Sequence, residues 1–368
     1  MLGFNLLPVF NAHKIEALER VKPILLLTGI FQRIPYLFAG LAIYYFGVKH
    51  PGVALWFVVL VPLLSGLFGG LISTAWQELV AKTVPNRRRA SVFALRNIIS
   101  SMIGITAGGI VAAVLNWIPG IRGYGILHLI TFCFLALSYV VFVHIREGSY
   151  IRQTRNAKPG LRGNFREIGQ IVRADRLLVR YAVTVSVVNA MFIMVPFLPI
   201  HALRVTKRPD SFLGFLVIAQ MAGGILGNAL AGYTGDRYGG RNVIFLGRVL
   251  LTIGTVWAAF AGASWMFIGI FFLQGWGSFS NMVGVQTMTI EFCPVEKRST
   301  YLAIIATANV PFMLLCSLGG SWLWRATQNF TVLSLAAGSL LLLSLALLIS
   351  IPEPRRSSSS RRMGAVLN

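Results

Sequence analysis

Asp236, Arg237 and Arg241 stand in the stretch GYTGDRYGGR, Gly232–Arg241, between two long apolar runs. One carboxylate and two guanidiniums at that spacing can form ion pairs and charge-assisted hydrogen bonds at a membrane boundary. Gly232 and Gly239 permit tight turning of the backbone there. Asp236 can also accept from the first amides of a neighbouring helix, where its charge meets the positive end of the helix dipole. The plainer alternative is a generic polar turn.

The rest of the sequence offers little for catalysis. It contains no Ser-His-Asp set, no His/Cys metal spacing and no GxxxxGK[ST] phosphate loop, so neither enzyme activity, metal nor cofactor is expected. Cys133, Cys293 and Cys316 have no paired spacing. Arg33 is the charge set deepest in an apolar run, a placement that is costly and usually functional, although its long side chain could snorkel. Glu78 and Arg96 are a candidate ion pair, with a snorkelling anchor as the alternative for Arg96. His128 suits a polar-interface role better than a proton relay. Every Asp and Glu falls in a loop, a terminus or a span end, so the spans offer no mid-membrane carboxylate to load a proton.

The elements that must carry these groups follow from composition. With 56% apolar and 12% charged residues, the chain lies outside the range of soluble domains and reads as an integral membrane protein. Ten apolar runs are long enough to cross about 30 Å of hydrocarbon as helices: 24–46, 52–73, 98–117, 124–144, 177–200, 212–233, 243–262, 265–288, 301–321 and 330–351. With the N-terminus inside, 23 basic residues fall on the inner side against six outside, which places both termini in the cytoplasm. The net charge of +22 is therefore topology, and no nucleic-acid partner is expected. Residues 146–176 carry eight basic side chains, with Phe165, Ile168, Ile171 and Val172 at near-helical spacing; they read as a solvated loop or a helix lying on anionic membrane lipid. The tail, 352–368, is of low complexity and expected to be disordered.

An offset of 209 residues superposes Pro85 on Pro294, Arg89 on Arg298, Gln77 on Gln286 and Gly66 on Gly275. Gly108-Gly109 and Gly319-Gly320 follow in the respective copies, so the architecture is duplicated. Small gaps pair spans one to four with seven to ten and leave five and six unmatched.

Gly232, Asp236, Arg237, Gly239 and Arg241 resemble the major facilitator superfamily loop, roughly G-x-x-x-D-R-x-G-x-R. The resemblance implies an all-α polytopic membrane protein whose ten helices form two pseudo-repeated bundles, four plus six. Its domains would be residues 1–23, remnant of a second helix and degenerate loop; 24–145, an incomplete N-terminal bundle; 146–176, a basic cytoplasmic linker; 177–351, a C-terminal bundle; and the tail. On this reading the first two of twelve helices are lacking; a true ten-helix protein of two five-helix repeats is the alternative. The resemblance also implies secondary transport of a small-molecule solute by alternating access, with Gly232–Arg241 as a cytoplasmic latch. The family plan assigns the solute cavity to the second, third, fifth, sixth, eighth and ninth spans, whose interior polar residues Ser101, Thr106, Asn189, Gln220, Gln274, Asn281 and Asn309, the first choice among them Asn189, Gln220 and Gln274, suit a neutral polar or amphipathic solute. Each could instead make an interhelical hydrogen bond. Ion coupling, with the proton as candidate, an inner-membrane location and a monomeric state complete the expectation. The competing reading is a truncated or non-transporting scaffold or receptor that retains the fold.

Overall fold

The computed structural model describes residues 22–83, 89–145, 161–292 and 298–352. The expectations for residues 1–21, the proline-basic turns around Pro85 and Pro294, Arg87, Arg88, Lys297, most of the linker and nearly all of the tail lie outside these residues. So do the side chains of Glu78 and Asp236.

Every regular element among the described residues is helical. α1 (Lys22–Phe46), α2 (Pro51–Thr83), α3 (Arg89–Trp117) and α4 (Ile121–Val143) precede the linker helix α5 (Leu161–Ala174). α6 (Arg176–Val187), a 3₁₀ segment (Val188–Ile193), α7 (Leu198–Thr206) and α8 (Phe212–Tyr238) follow. α9 (Gly240–Ala258), α10 (Ser264–Phe292), α11 (Arg298–Thr327) and α12 (Phe330–Ile349) complete the chain. Large apolar side chains face outward, among them Trp56, Trp117 and Leu315, each at least 70% exposed. A surface of that kind suits hydrocarbon, because water disfavours large apolar areas, and helices can stand there because each satisfies its own backbone polar groups. The chain is a multi-pass membrane protein.

Nine helical stretches among the described residues are long and apolar enough to cross a membrane, against ten expected. The difference is α10. Although 29 residues long, it spends Gly275, Gly277 and Gly284 on close packing and carries Gln274, Ser280 and Asn281 inward. It is gripped on two sides and has less apolar surface to give to lipid.

The chain divides into two compact units, Met1–Phe93 with Ala113–Glu167 and Ala94–Ala112 with Ile168–Asn368. The middle of α3 groups with the second unit. In the first unit α1 packs on α2 and α4, with Gly40 against Leu129 and Gly125 against the backbone of Tyr44. In the second, α8 and α9 enclose α10, while α11 and α12 pack on the 3₁₀ segment. Gly108 of α3 lies against Gly214 and Ile218 of α8.

The seam between α9 and α10 has a simple cause in sequence. Gly240, Gly247 and Gly254 recur every seven residues on α9, as do Gly277 and Gly284 on α10. Small residues at that period let two backbones approach along a continuous line. A Cβ on Gly247 would stand 2.7 Å from Asn281 N and 2.8 Å from Gly277 O.

Two local expectations are corrected. The polar turn of about ten residues at 232–241 is helical except for Gly239, because α8 runs on through Tyr238 and α9 begins at Gly240. Gly239, at φ 88 and ψ 166, makes the whole reversal. The linker helix α5 does not offer Ile168 and Ile171 to lipid: both pack with Leu178, Tyr181, Met288 and Tyr301. Asp175 fixes its end by accepting from Leu178 N at 2.9 Å and from Tyr301 Oη at 3.0 Å.

Candidate functional site

The run expected as one span over 177–200 is interrupted. α6 gives way to the 3₁₀ turn of Val188–Ile193, and α7 restarts at Leu198. Pro196 and Pro199 supply the reason, since proline lacks an amide donor and disfavours helix in the residue before it. Asn189 adds to it by donating from Nδ2 to Ser186 O at 2.8 Å. A 3₁₀ stretch inside a span often marks a hinge, and broken helices at membrane depth persist where protein or a cavity covers them.

The break brings two expected residues together. Asn189 Nδ2 also donates to Asn309 Oδ1 at 3.1 Å, and Asn309 Nδ2 donates to Ile305 O at 3.0 Å on α11. Both side chains are half-buried. Asn189 Oδ1 receives no hydrogen bond among the described residues, so an acceptor remains open at the discontinuity.

The other expected solute residues divide. Gln274 is buried and donates from Nε2 to Thr255 Oγ1 at 3.0 Å, a bond between α10 and α9. Asn281 accepts from Arg248 at 3.2 Å. Thr106 is exposed and bonds Ile103 O of its own helix at 2.7 Å. Gln220 is half-buried on α8, where its backbone packs on Gly275. Ser101 is buried with Oγ unpartnered among the described residues, as are Asn228 Oδ1 and Trp276 Nε1. Buried polar atoms of this kind call for water or a ligand.

Arg248 was missed as a site residue. It is fully buried, with Nε on Asn281 Oδ1 and Nη1 on Ser344 Oγ at 2.6 Å and Ser344 O at 3.0 Å, while Nη2 has no partner among the described residues. The available signal was its place one residue after Gly247 on the glycine seam, which turns it toward protein. Arg33, the charge expected deepest along a span, is half-buried. It donates to Leu135 O at 2.9 Å and Gly29 O at 2.7 Å and lies over the Tyr139 ring, 5.2 Å from its centroid. Carbonyls and a ring face stand where a carboxylate partner is lacking.

In the expected latch, Gly232 is exposed and Arg237 points outward, donating to Tyr233 Oη at 3.2 Å. Arg241 turns the other way. It donates to Ile349 O at 2.9 Å and Leu348 O at 3.4 Å, the last carbonyls of α12, where a cation complements the helix dipole. Arg96 is exposed and donates to Asn97 Oδ1 at 3.0 Å.

Known proteins resemble this arrangement at several levels. The family model described as Major Facilitator Superfamily matches residues 17–208 and again 190–366. A D-xylose transporter of Levilactobacillus brevis is 28% identical over 129 residues, which are 33% of this chain and 28% of that protein. Inositol transporter 4 of Arabidopsis thaliana is 29% identical over 154 residues, 38% of this chain and 24% of that protein. The matched stretches thus span about a quarter of each relative. Among solved structures, the nucleoside transporter NupG superposes with a TM-score of 0.69 at 12% identity, over 95% of this chain and 89% of its own. A D-xylose-proton symporter gives 0.67 at 13%, over 96% and 86%. The fucose:proton symporter FucP of E. coli gives 0.62 at 12%, over 95% and 88%. At those identities the likeness speaks for a shared fold.

Proposed function

The chain belongs to the major facilitator superfamily, and on that footing we propose that it is a secondary carrier of a small, uncharged, polyhydroxylated solute, working by alternating access. The observation that carries this reading is the character of the open polar atoms in the second unit. Asn189 Oδ1, Asn228 Oδ1, Ser101 Oγ and Trp276 Nε1 are neutral donors and acceptors without a protein partner among the described residues. Such groups suit hydroxyls, and the two relatives named for D-xylose and inositol support the same solute class. Asn189 and Asn309 are the contacts we assign first, because the 3₁₀ break holds them together and leaves an acceptor exposed. Gln220 is kept as a third. Gln274 and Asn281 act as braces between helices.

Ion coupling is the finer part of the proposal. The proton is the candidate because two structural neighbours are named proton symporters. Gly232–Arg241 remains our candidate for the cytoplasmic latch, with Arg241 anchoring the turn to α12 and Arg237 presented outward. The bias of 23 basic residues against six supports an inner-membrane orientation with both termini cytoplasmic.

Purified protein reconstituted in liposomes tests the reading. Uptake of labelled D-xylose or myo-inositol should saturate and be competed by unlabelled polyols. Asn189→Ala should lower uptake about tenfold, a lost hydrogen bond to solute, while the protein stays folded. An imposed proton gradient should drive accumulation if coupling is right. Absence of flux for every neutral polyol tried, with folded protein, would support the scaffold reading.

A further inference from the structure

The end of α12 opposite Arg241 borders a cavity of about 570 Å³ that the transport reading does not use. It lies within the second unit, where α7 and the C-terminal end of α11 meet the start of α12. Its walls are aromatic. Phe197 stacks on Trp324 with centroids 5.4 Å apart, and His201 stacks on Phe330 at 3.9 Å and 12°.

The one charged group at the edge is the donor Arg204, beside Thr327, Gln328 and Asn329, which can donate or accept. Arg204 lies one turn after Ile200 on α7, and none of the hydrogen bonds or ion pairs of the described residues occupies its guanidinium. Asn329 caps α12 with Oδ1 on Thr331 N at 2.9 Å, which leaves its amide Nδ2 to face outward. The same cap sets the positive end of a 20-residue helix at the cavity. No acidic side chain lines it.

We propose that this cavity binds an amphipathic anion. A flat apolar body would lie along the Phe197–Trp324 and His201–Phe330 stacks, and its negative group would meet Arg204 and the N-terminal turn of α12. An anionic lipid, with its chain against the rings, and a water-soluble aromatic acid both join an apolar body to a negative group. The site is separate from Asn189 and Asn309 and does not depend on flux.

The test uses the full chain in phosphatidylcholine nanodiscs, with 2-naphthalenesulfonate as probe and 2-naphthalenemethanol as its neutral counterpart, followed by calorimetric titration corrected for empty discs. The sulfonate should bind at least about tenfold more tightly than the alcohol. Arg204→Gln, an exposed substitution, should abolish that preference, and Trp324→Leu should weaken both probes. Replacing part of the lipid by phosphatidylglycerol identifies the source: loss of sulfonate binding makes the resident anion a lipid headgroup, and unchanged binding makes it a soluble acid. Equal affinity for the two probes, a charge preference that survives Arg204→Gln, or no sulfonate binding in phosphatidylcholine would overturn the proposal.

Discussion

Replacing Asn281 by leucine keeps the number and branching of the side-chain heavy atoms and takes away the oxygen that meets Arg248 Nε at 3.2 Å. Arg248 is fully buried, and its Nη2 already lacks a partner among the described residues, so the freed Nε–H has no evident second acceptor. A hydrogen bond to a charged donor is worth about 2 kcal/mol, and leaving the donor buried and unpaired costs at least that much. Converting Arg248 to methionine in the same chain removes the donor as well. Ser344 can then turn its hydroxyl back to a carbonyl of its own helix. The single variant Asn281→Leu should therefore lose about 2 kcal/mol, and Arg248→Met/Asn281→Leu less than about 1 kcal/mol. In detergent, with thermal unfolding followed by intrinsic fluorescence, the single variant should melt about 4 °C lower or more and the double variant should recover most of the loss. A double variant as unstable as the single one would refute the account of Arg248 as a buried charge held by its acceptors.

Three further outcomes follow from the same geometry. Gly247→Val should cost about 1–3 kcal/mol, because the added carbons meet backbone on α10 and the two helices must separate; a melting temperature equal to wild type would dispose of the seam. Gly239→Ala should destabilise by about 1–3 kcal/mol, since φ 88 with ψ 166 is a region nearly reserved for glycine, and the check is again the melting temperature. Arg241→Ala should cost about 1 kcal/mol and hasten amide exchange in the last turn of α12, which loses its capping cation; unchanged exchange there would mean that the contacts at Leu348 and Ile349 do not hold the helix end.

The helical character of the chain and the positions of most spans were legible because hydrocarbon imposes long apolar runs. Local interruptions were less so. The 3₁₀ break at Val188–Ile193 sits in a run that reads as uniformly apolar, and only the prolines at 196 and 199 hint at it. Gly239 does alone what a polar stretch of ten residues was expected to do, because polarity tells where water begins and not where a helix ends. Among the candidate solute residues, types were readable and faces were not. Gln274 and Asn309 are both amides in apolar helices, yet one braces α9 and the other meets the interrupted helix. Arg248 escaped notice because depth along a span was judged from sequence, while its burial comes from the helix packed beside it. The period of seven in Gly240, Gly247 and Gly254 was present in the sequence and would have shown which side that was.

That period also limits how the second unit can move. Two smooth rods may slide by small amounts, but a row of notches engages only at its own spacing. For α9 and α10 to slip and re-engage, they would have to travel seven residues, about 10.5 Å, whereas packed helices commonly shift by only about 1–2 Å. On the alternating-access proposal the pair would turn as a single lever, and bending would fall to segments without such teeth, the interrupted helix around Asn189 foremost.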